Sequence, residues 1–243
     1  MLFWSRGRCA PPVAGNTMSF DYDSQTRKHY MDAQVASAYH AQFNEGGGLA
    51  GFRSRVVAKR ERAGVRQLLA HLDVRHVLDL PAGTGKMGVV YKDMGVRVTA
   101  ADVSGAMLDI ARKVYAELQY ADVTFAQCDA ENATSLASDG RFDVVVCLRL
   151  MHRVPAEMRE RMLAEFAVVA PWLVISYGID SWFHRLRRPL RRFLFRNKDV
   201  GVSTFPTMDG AMRELGRFYR IVNVKPVFTG LSGEYLFLLA RRP

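Results

Sequence analysis

Glycines 83, 85 and 88 follow the apolar run His76 to Leu80 and fit the spacing GxGxxG. Such a turn lets the backbone approach a nucleotide-containing ligand, because glycine adopts conformations a side chain forbids. Carboxylates stand around it. Asp79, four residues before Gly83, can accept from a ligand ammonium or order the loop. Asp102 follows Gly85 by seventeen residues, and a carboxylate there can take both hydroxyls of a ribose. Asp129, followed by Ala130, closes a third apolar run and can accept from an adenine amino group. The glycine spacing alone is shared with nicotinamide and flavin enzymes, and any one of these aspartates has the alternative role of a turn or cap residue.

Two further residues carry possible chemistry at the end of the fourth apolar run, in LRLMHRVP. His152 can take a proton from an acceptor hydroxyl, or it can shape the loop and pack on the following helix. Arg149 can contact an acidic ligand group, or it can pair with Asp143 or another nearby acid.

Positioning these groups requires strands that end at a common edge. HVLDL, RVTAADVS (97–104), VTFAQCDA (123–130), FDVVVCLRL (142–150) and WLVISY (172–177) read as strands. Helical patterns separate them at 86–93, 106–118 and 157–169, and an amphipathic helix at 53–71 precedes them. Continuously apolar strands alternating with helices predict a parallel sheet covered on both faces. The end of the chain differs. After a helix at about 207–217, FYRIVNVKPVF and GEYLFLLARR flank a glycine-containing loop and predict an antiparallel hairpin. The fold class is therefore α/β, with a seven-stranded, mostly parallel, Rossmann-like sheet.

The ordered series VLDLPAGTG, AADVSGAMLDIAR, QCDAENA and FDVVVCLRLMHRVP resembles the class I S-adenosylmethionine-dependent methyltransferases, over roughly residues 30–180. The likeness is greatest to the small-molecule branch that includes the ubiquinone and menaquinone biosynthesis methyltransferases. The resemblance implies S-adenosylmethionine as donor and S-adenosylhomocysteine as product. It places Asp79, Gly83 and Gly85 along the methionine moiety and Asp102 on the ribose. It places Val103 and Met107 beside the adenine, with Asp129 and Ala130 completing that pocket. Pro81 and Ala82 stand in the cofactor loop where the family often has Gly-Cys or Gly-Ser, and Lys86 is unusual so near the ligand and suits a carboxylate. In relatives an N-terminal segment folds over the donor. Residues 20–55 are accordingly a helical lid, with Tyr30, Tyr39 and Arg53 as cofactor contacts and lid packing as the alternative for the tyrosines.

Residues 1–19 read as a disordered extension, and Met18 is an alternative start because organised sequence begins just after it. Residues 56–243 form the Rossmann-like domain, with a basic and aromatic insertion at 178–206. Within it, 182–198 (WFHRLRRPLRRFLFRNK) hold six Arg and one Lys and no acid, against a net charge of +10 for the whole chain. Trp182 and Phe183 are candidate substrate contacts. Interleaved cations and apolar residues suit an anionic membrane surface or a lipophilic substrate. They also suit an RNA backbone, which ranks lower, or a solvated face docked on the domain.

Composition narrows the remainder. The chain of 243 residues is 49% hydrophobic and 24% charged, which excludes a disordered or collagen-like protein and a disulfide miniprotein. No apolar stretch reaches the ~20 residues of a spanning helix. Cys9, Cys128 and Cys147 fit no zinc spacing and no disulfide framework, so no metal is expected and a reducing, cytoplasmic compartment is, with peripheral membrane contact through 182–198. The expected activity is methyl transfer to a hydroxyl or amine of a lipophilic small molecule such as a quinone precursor, lipid or secondary metabolite. The alternatives are an RNA methyltransferase and a non-catalytic methyltransferase-like partner protein.

Overall fold

The computed structural model describes residues 48–139, 142–180, 205–228 and 233–242. The chain enters on helix α1 (Gly48–Leu69), which begins five residues before the expected Arg53 and runs unbroken through the 55/56 boundary. Its buried positions Ala58, Glu61, Val65, Leu68 and Leu69 recur at helical spacing and make one stripe toward the sheet.

Strands and helices then alternate: β1 (His76–Asp79), α2 (Gly88–Met94), β2 (Arg97–Asp102), α3 (Gly105–Glu117) and β3 (Val123–Gln127). A 3-10 segment (Ala130–Asp139) leads to β4 (Val144–Cys147), a 3-10 turn (Met151–Arg153), α4 (Ala156–Val169) and β5 (Trp172–Gly178). Then follow α5 (Met208–Leu215), β6 (Tyr219–Pro226) and β7 (Glu234–Arg241). The seven strands form one sheet in the order β3-β2-β1-β4-β5-β7-β6. The pairs among β1 to β5 are parallel, while β7 is antiparallel to both β5 and β6. The expected mostly parallel sheet with an antiparallel hairpin is thus present.

Both faces of the sheet are buried, which explains the unbroken apolar strands. Val144 and Val146 pack with Val65, Leu68 and Leu69 of α1 and Tyr91 of α2. Val145 and Cys147 face the other way, onto Met162, Leu163 and Phe166 of α4. A buried fork holds this second layer together. Arg159 of α4 donates to both oxygens of Glu214 on α5, at 2.7 and 2.9 Å, and the Tyr177 hydroxyl of β5 donates to the same carboxylate at 2.9 Å. Strand order runs outward in both directions from the β1–β4 pair. Ligands of open α/β sheets bind in the crevice such a reversal leaves at the carboxyl ends of the strands.

Tyr30, Tyr39, Trp182, Phe183 and the basic run 182–198 lie outside the described residues, as does the side chain of Arg53.

Candidate functional site

A cavity of about 140 Å³ opens at the carboxyl ends of β1, β2 and β4. Pro81, Ala82, Gly83, Thr84, Lys86 and Met87 line it from the glycine loop, and Asp79 from β1. Asp102, Val103 and Met107 close the β2 side, Leu148, Arg149, Leu150 and Arg153 the β4 side, and Glu61 reaches in from α1.

The loop takes its shape from two glycines and one carboxylate. Gly83 has φ +53° and Gly85 φ +76°, the left-handed region that favours glycine. Around Gly83 nothing would meet an added Cβ, whereas at Gly85 a Cβ would lie 3.1 Å from Tyr115 and 3.2 Å from Ala111 of α3. Gly83 therefore opens onto the cavity, and Gly85 permits close packing of the loop on α3. Asp102 accepts from the Gly83 N–H and from the Ser104 N–H, each at 2.9 Å. This single side chain joins the end of β2 to the loop. The Ala82 N–H donates to the Ala101 carbonyl at 2.8 Å and adds a backbone tie. The Leu80–Pro81 peptide is cis.

Asp79 is 2% exposed, and its Oδ2 has no hydrogen-bond partner among the described residues. Burial pushes its carboxyl well above the usual range, and the Asp102 charge adds to this; the Tyr91 hydroxyl beside it pulls the other way. A buried carboxylate without a donor costs free energy unless a cation or donor arrives. Asp102 is also raised by burial, against which its backbone hydrogen bonds work.

The β4 side is built from charge. Arg149 has a left-handed backbone, φ +60°, and its N–H donates to Ser176 Oγ at 2.7 Å. Its guanidinium forks the Glu61 carboxylate, Nε to Oε1 at 2.8 Å and Nη2 to Oε2 at 2.7 Å. Asp143, the acid the sequence offers as partner, instead accepts from the backbone N–H groups of Arg75 and His76, at 2.7 Å each. Burial pushes the Glu61 carboxyl up to about 7, opposed by Arg149. Burial and then the Arg149 charge push Lys86 down to about 6.

Of the candidates from sequence, Asp79, Pro81, Ala82, Gly83, Asp102, Val103, Met107 and Arg149 meet in this cavity. Gly85, Asp129, Ala130 and His152 are not among its lining residues. Asp129 Oδ1 accepts from the Glu131 N–H at 3.1 Å, and Ala130 is buried in the core. His152, in the 3-10 turn after β4, stacks on Phe205 with ring centroids 5.8 Å apart. Burial, with Arg149 nearby, pushes its imidazole down to about 4, so it is neutral at pH 7. Glu61 was not anticipated. The sequence signal was an acid on the buried stripe of an amphipathic helix, three residues from Ala58 and four from Val65.

A glycine turn between β1 and α2, a carboxylate ending β2, and an antiparallel seventh strand inserted beside β5 define a Rossmann-like α/β fold. The particular branch follows from comparison with known proteins. Residues 77–170 match the family model described as a methyltransferase domain. The chain is 29% identical over 121 residues to a ubiquinone biosynthesis O-methyltransferase of Coxiella burnetii, covering 50% of this chain and 47% of that protein. It is 33% identical over 131 residues to the corresponding enzyme of Alkalilimnicola ehrlichii, covering 54% and 49%. The chain thus spans about half the length of these curated relatives. Among solved structures it is similar in fold to magnesium protoporphyrin IX methyltransferase from Synechocystis PCC 6803 with bound S-adenosylhomocysteine. That match has a TM-score of 0.72 at 17% identity, over 90% of this chain and 100% of the other. These findings support a class I S-adenosylmethionine-dependent methyltransferase domain over residues 77–170.

Proposed function

We propose that the protein transfers the methyl group of S-adenosylmethionine to a hydroxyl or amine of a lipophilic small molecule and releases S-adenosylhomocysteine. The observation that carries this is the convergence of Asp79, Gly83 and Asp102 on one cavity at the sheet's carboxyl edge. The residues fit the donor. Asp79 has a buried oxygen awaiting a donor, which the amino group of the methionine half supplies. Asp102 keeps acceptor capacity beyond its two backbone bonds for the ribose hydroxyls. Val103, Met107 and Leu148 offer apolar wall to the adenine and to the reacting centre. When bound, S-adenosylmethionine supplies an electrophilic methyl on a sulfonium, and the chain has to align the acceptor and exclude water.

His152 is assigned the acceptor's proton. It shares the 3-10 turn with Arg153, a cavity residue, and burial keeps it in the neutral, proton-accepting form. His152→Asn is expected to lower kcat about 100-fold or more while leaving S-adenosylhomocysteine affinity unchanged. The pH–rate profile of the wild type should have no inflection near 6.5 from this group, because its pKa is lowered. A change in kcat of less than about threefold would reduce His152 to a ring that packs on Phe205.

The lipophilic acceptor rests on the branch of relatives and on the aromatic-basic run 182–198, read as a contact for an anionic membrane surface. Among the described residues no helix is long and apolar enough to cross a membrane. The test is transfer of labelled methyl into an extract of the source cells, separated into organic, RNA and aqueous fractions. Label in the organic fraction supports the proposal. Label in RNA recasts the same arginines as phosphate contacts, and no label anywhere favours a non-catalytic partner protein.

A further inference from the structure

We propose that Phe205 and Gly178 are positioning residues for His152: the missing side chain of the glycine makes room for the aromatic ring that holds the imidazole. This rests on the proton-accepting role given to His152 above and adds the residues that fix it.

Three segments distant in sequence meet at the carboxyl end of β5. Gly178 is the last residue of that strand, His152 lies in the 3-10 turn after β4, and Phe205 precedes α5 by two residues. A Cβ placed on Gly178 would lie 2.3 Å from Phe205 Cε1 and 2.5 Å from its Cδ1, closer than side-chain carbons approach. The same point is 3.5 Å from His152 Cβ, an ordinary contact. The edge of the Phe205 ring therefore fills the place of a side chain at 178. From there its face lies nearly parallel to the imidazole, with 7° between the planes and 5.8 Å between the centroids, an offset stack.

Both rings are tied to β5 by separate bonds. Residues two apart on a strand share a face, so Ser176 and Gly178 look toward the same turn. Ser176 Oγ accepts from the Arg149 N–H at 2.7 Å, and the Arg153 N–H donates to the Leu150 carbonyl at 2.8 Å. These two bonds bracket His152. On the other side, the Asp180 N–H donates to the Pro206 carbonyl at 3.0 Å and anchors the residue next to Phe205 on the end of β5.

An imidazole that takes a proton from an acceptor has to be neutral and correctly aimed. The stack serves both needs, since it fixes the ring plane and shields one face from water. The charged residues of the segments packed here are Arg149 and Arg153 on the loop itself and Asp180 beyond β5, and the one that acts on the imidazole is Arg149. Removing the Phe205 ring hydrates the exposed face, which favours the imidazolium and leaves the ring free to turn.

The test is a histidine NMR titration of the full chain from pH 8 down to about 5, for wild type, Phe205→Ala, Phe205→Tyr and Gly178→Ala. The His152 signal is the one missing from His152→Asn. In the wild type it is expected to stay that of the neutral ring throughout, whereas in Phe205→Ala it protonates within the range. Phe205→Ala should also lower the rate of labelled-methyl transfer into the cell extract about tenfold or more, with S-adenosylhomocysteine affinity changed less than about twofold. Phe205→Tyr keeps the ring and restores both readings. Gly178→Ala lowers the rate when Phe205 is present and adds little in Phe205→Ala, because the ring it displaces is already gone. Phe205 is half-buried, so truncating it spares the sheet core, and retained S-adenosylhomocysteine affinity reports an intact fold. Identical His152 titrations in wild type and Phe205→Ala overturn the proposal even if the rate falls, and so do additive losses in the double variant. If His152→Asn transfers methyl at the wild-type rate, the proton-accepting role fails, and the titration alone still decides whether Phe205 and Gly178 hold the imidazole.

Discussion

Asp102→Ala is expected to weaken S-adenosylhomocysteine binding by about 100-fold or more and to abolish methyl transfer. The carboxylate has two duties that one substitution removes together. It accepts the N–H groups of Gly83 and Ser104, and it faces the cavity where two ligand hydroxyls need acceptors. Each hydrogen bond to a charged group contributes about 1.5–3 kcal/mol, so losing both ligand bonds alone reaches that range. The freed Gly83 N–H also releases the loop from β2. Asp102→Asn separates the two duties, because its amide oxygen still accepts from one backbone N–H while the charge is gone. It should melt somewhat below wild type, because its amide nitrogen faces the other backbone N–H, but less far below than Asp102→Ala, and it should still lose most affinity. Calorimetry with both variants reads the result, and wild-type affinity in Asp102→Ala would remove the ribose role from this residue.

Glu61→Ala should be the most destabilising single change at the site, by about 3–5 kcal/mol, because it strands a buried guanidinium. The Glu61 side chain is 3% exposed and that of Arg149 17%, so solvent screens the pair little. For a chain of this size the loss corresponds to a fall in Tm of about 10 °C. Removing the charge from both sides, in Glu61→Ala with Arg149→Met, should recover most of that stability, since no unpaired ion remains. The double variant should not recover activity, because the cavity has lost the Arg149 guanidinium. Melting curves for the two single variants and the pair give the coupling directly. Additive losses would mean that the fork is exchanged for water at little cost.

The parts of this protein legible in its sequence are those set by local pattern. The β-branched run Val144 to Cys147 reads as a strand buried on both faces, and the glycines at 83 and 85 read as a tight turn, which has positive φ at both. Asp79 and Asp102 line the cavity because strand ends position them, whatever packs around. What escaped depends on contacts between distant segments. Glu61 and Arg149 are 88 residues apart, and nothing in either neighbourhood names the other. The order of the last two strands did leave a trace. The run Leu236 to Leu239 is buried without a break and belongs inside the sheet beside β5. β6 alternates, exposes Val222 at a bulge and belongs at the edge. The strand expected to reach Leu150 stops at Cys147, and two residues later Arg149 turns left-handed to meet its partners. Asp129 and Ala130 were read as continuing a strand; the chain instead turns into a 3-10 segment that buries Ala130 and uses Asp129 on its own backbone.

A crystal structure of the full chain grown with S-adenosylhomocysteine tests the central claim most directly. The ligand is expected in the cavity at the carboxyl edge, with its ribose hydroxyls on Asp102, its backbone-facing side on Gly83 and its amino group on Asp79. Density for the ligand at any other place, or an empty cavity at saturating concentration, would contradict the account.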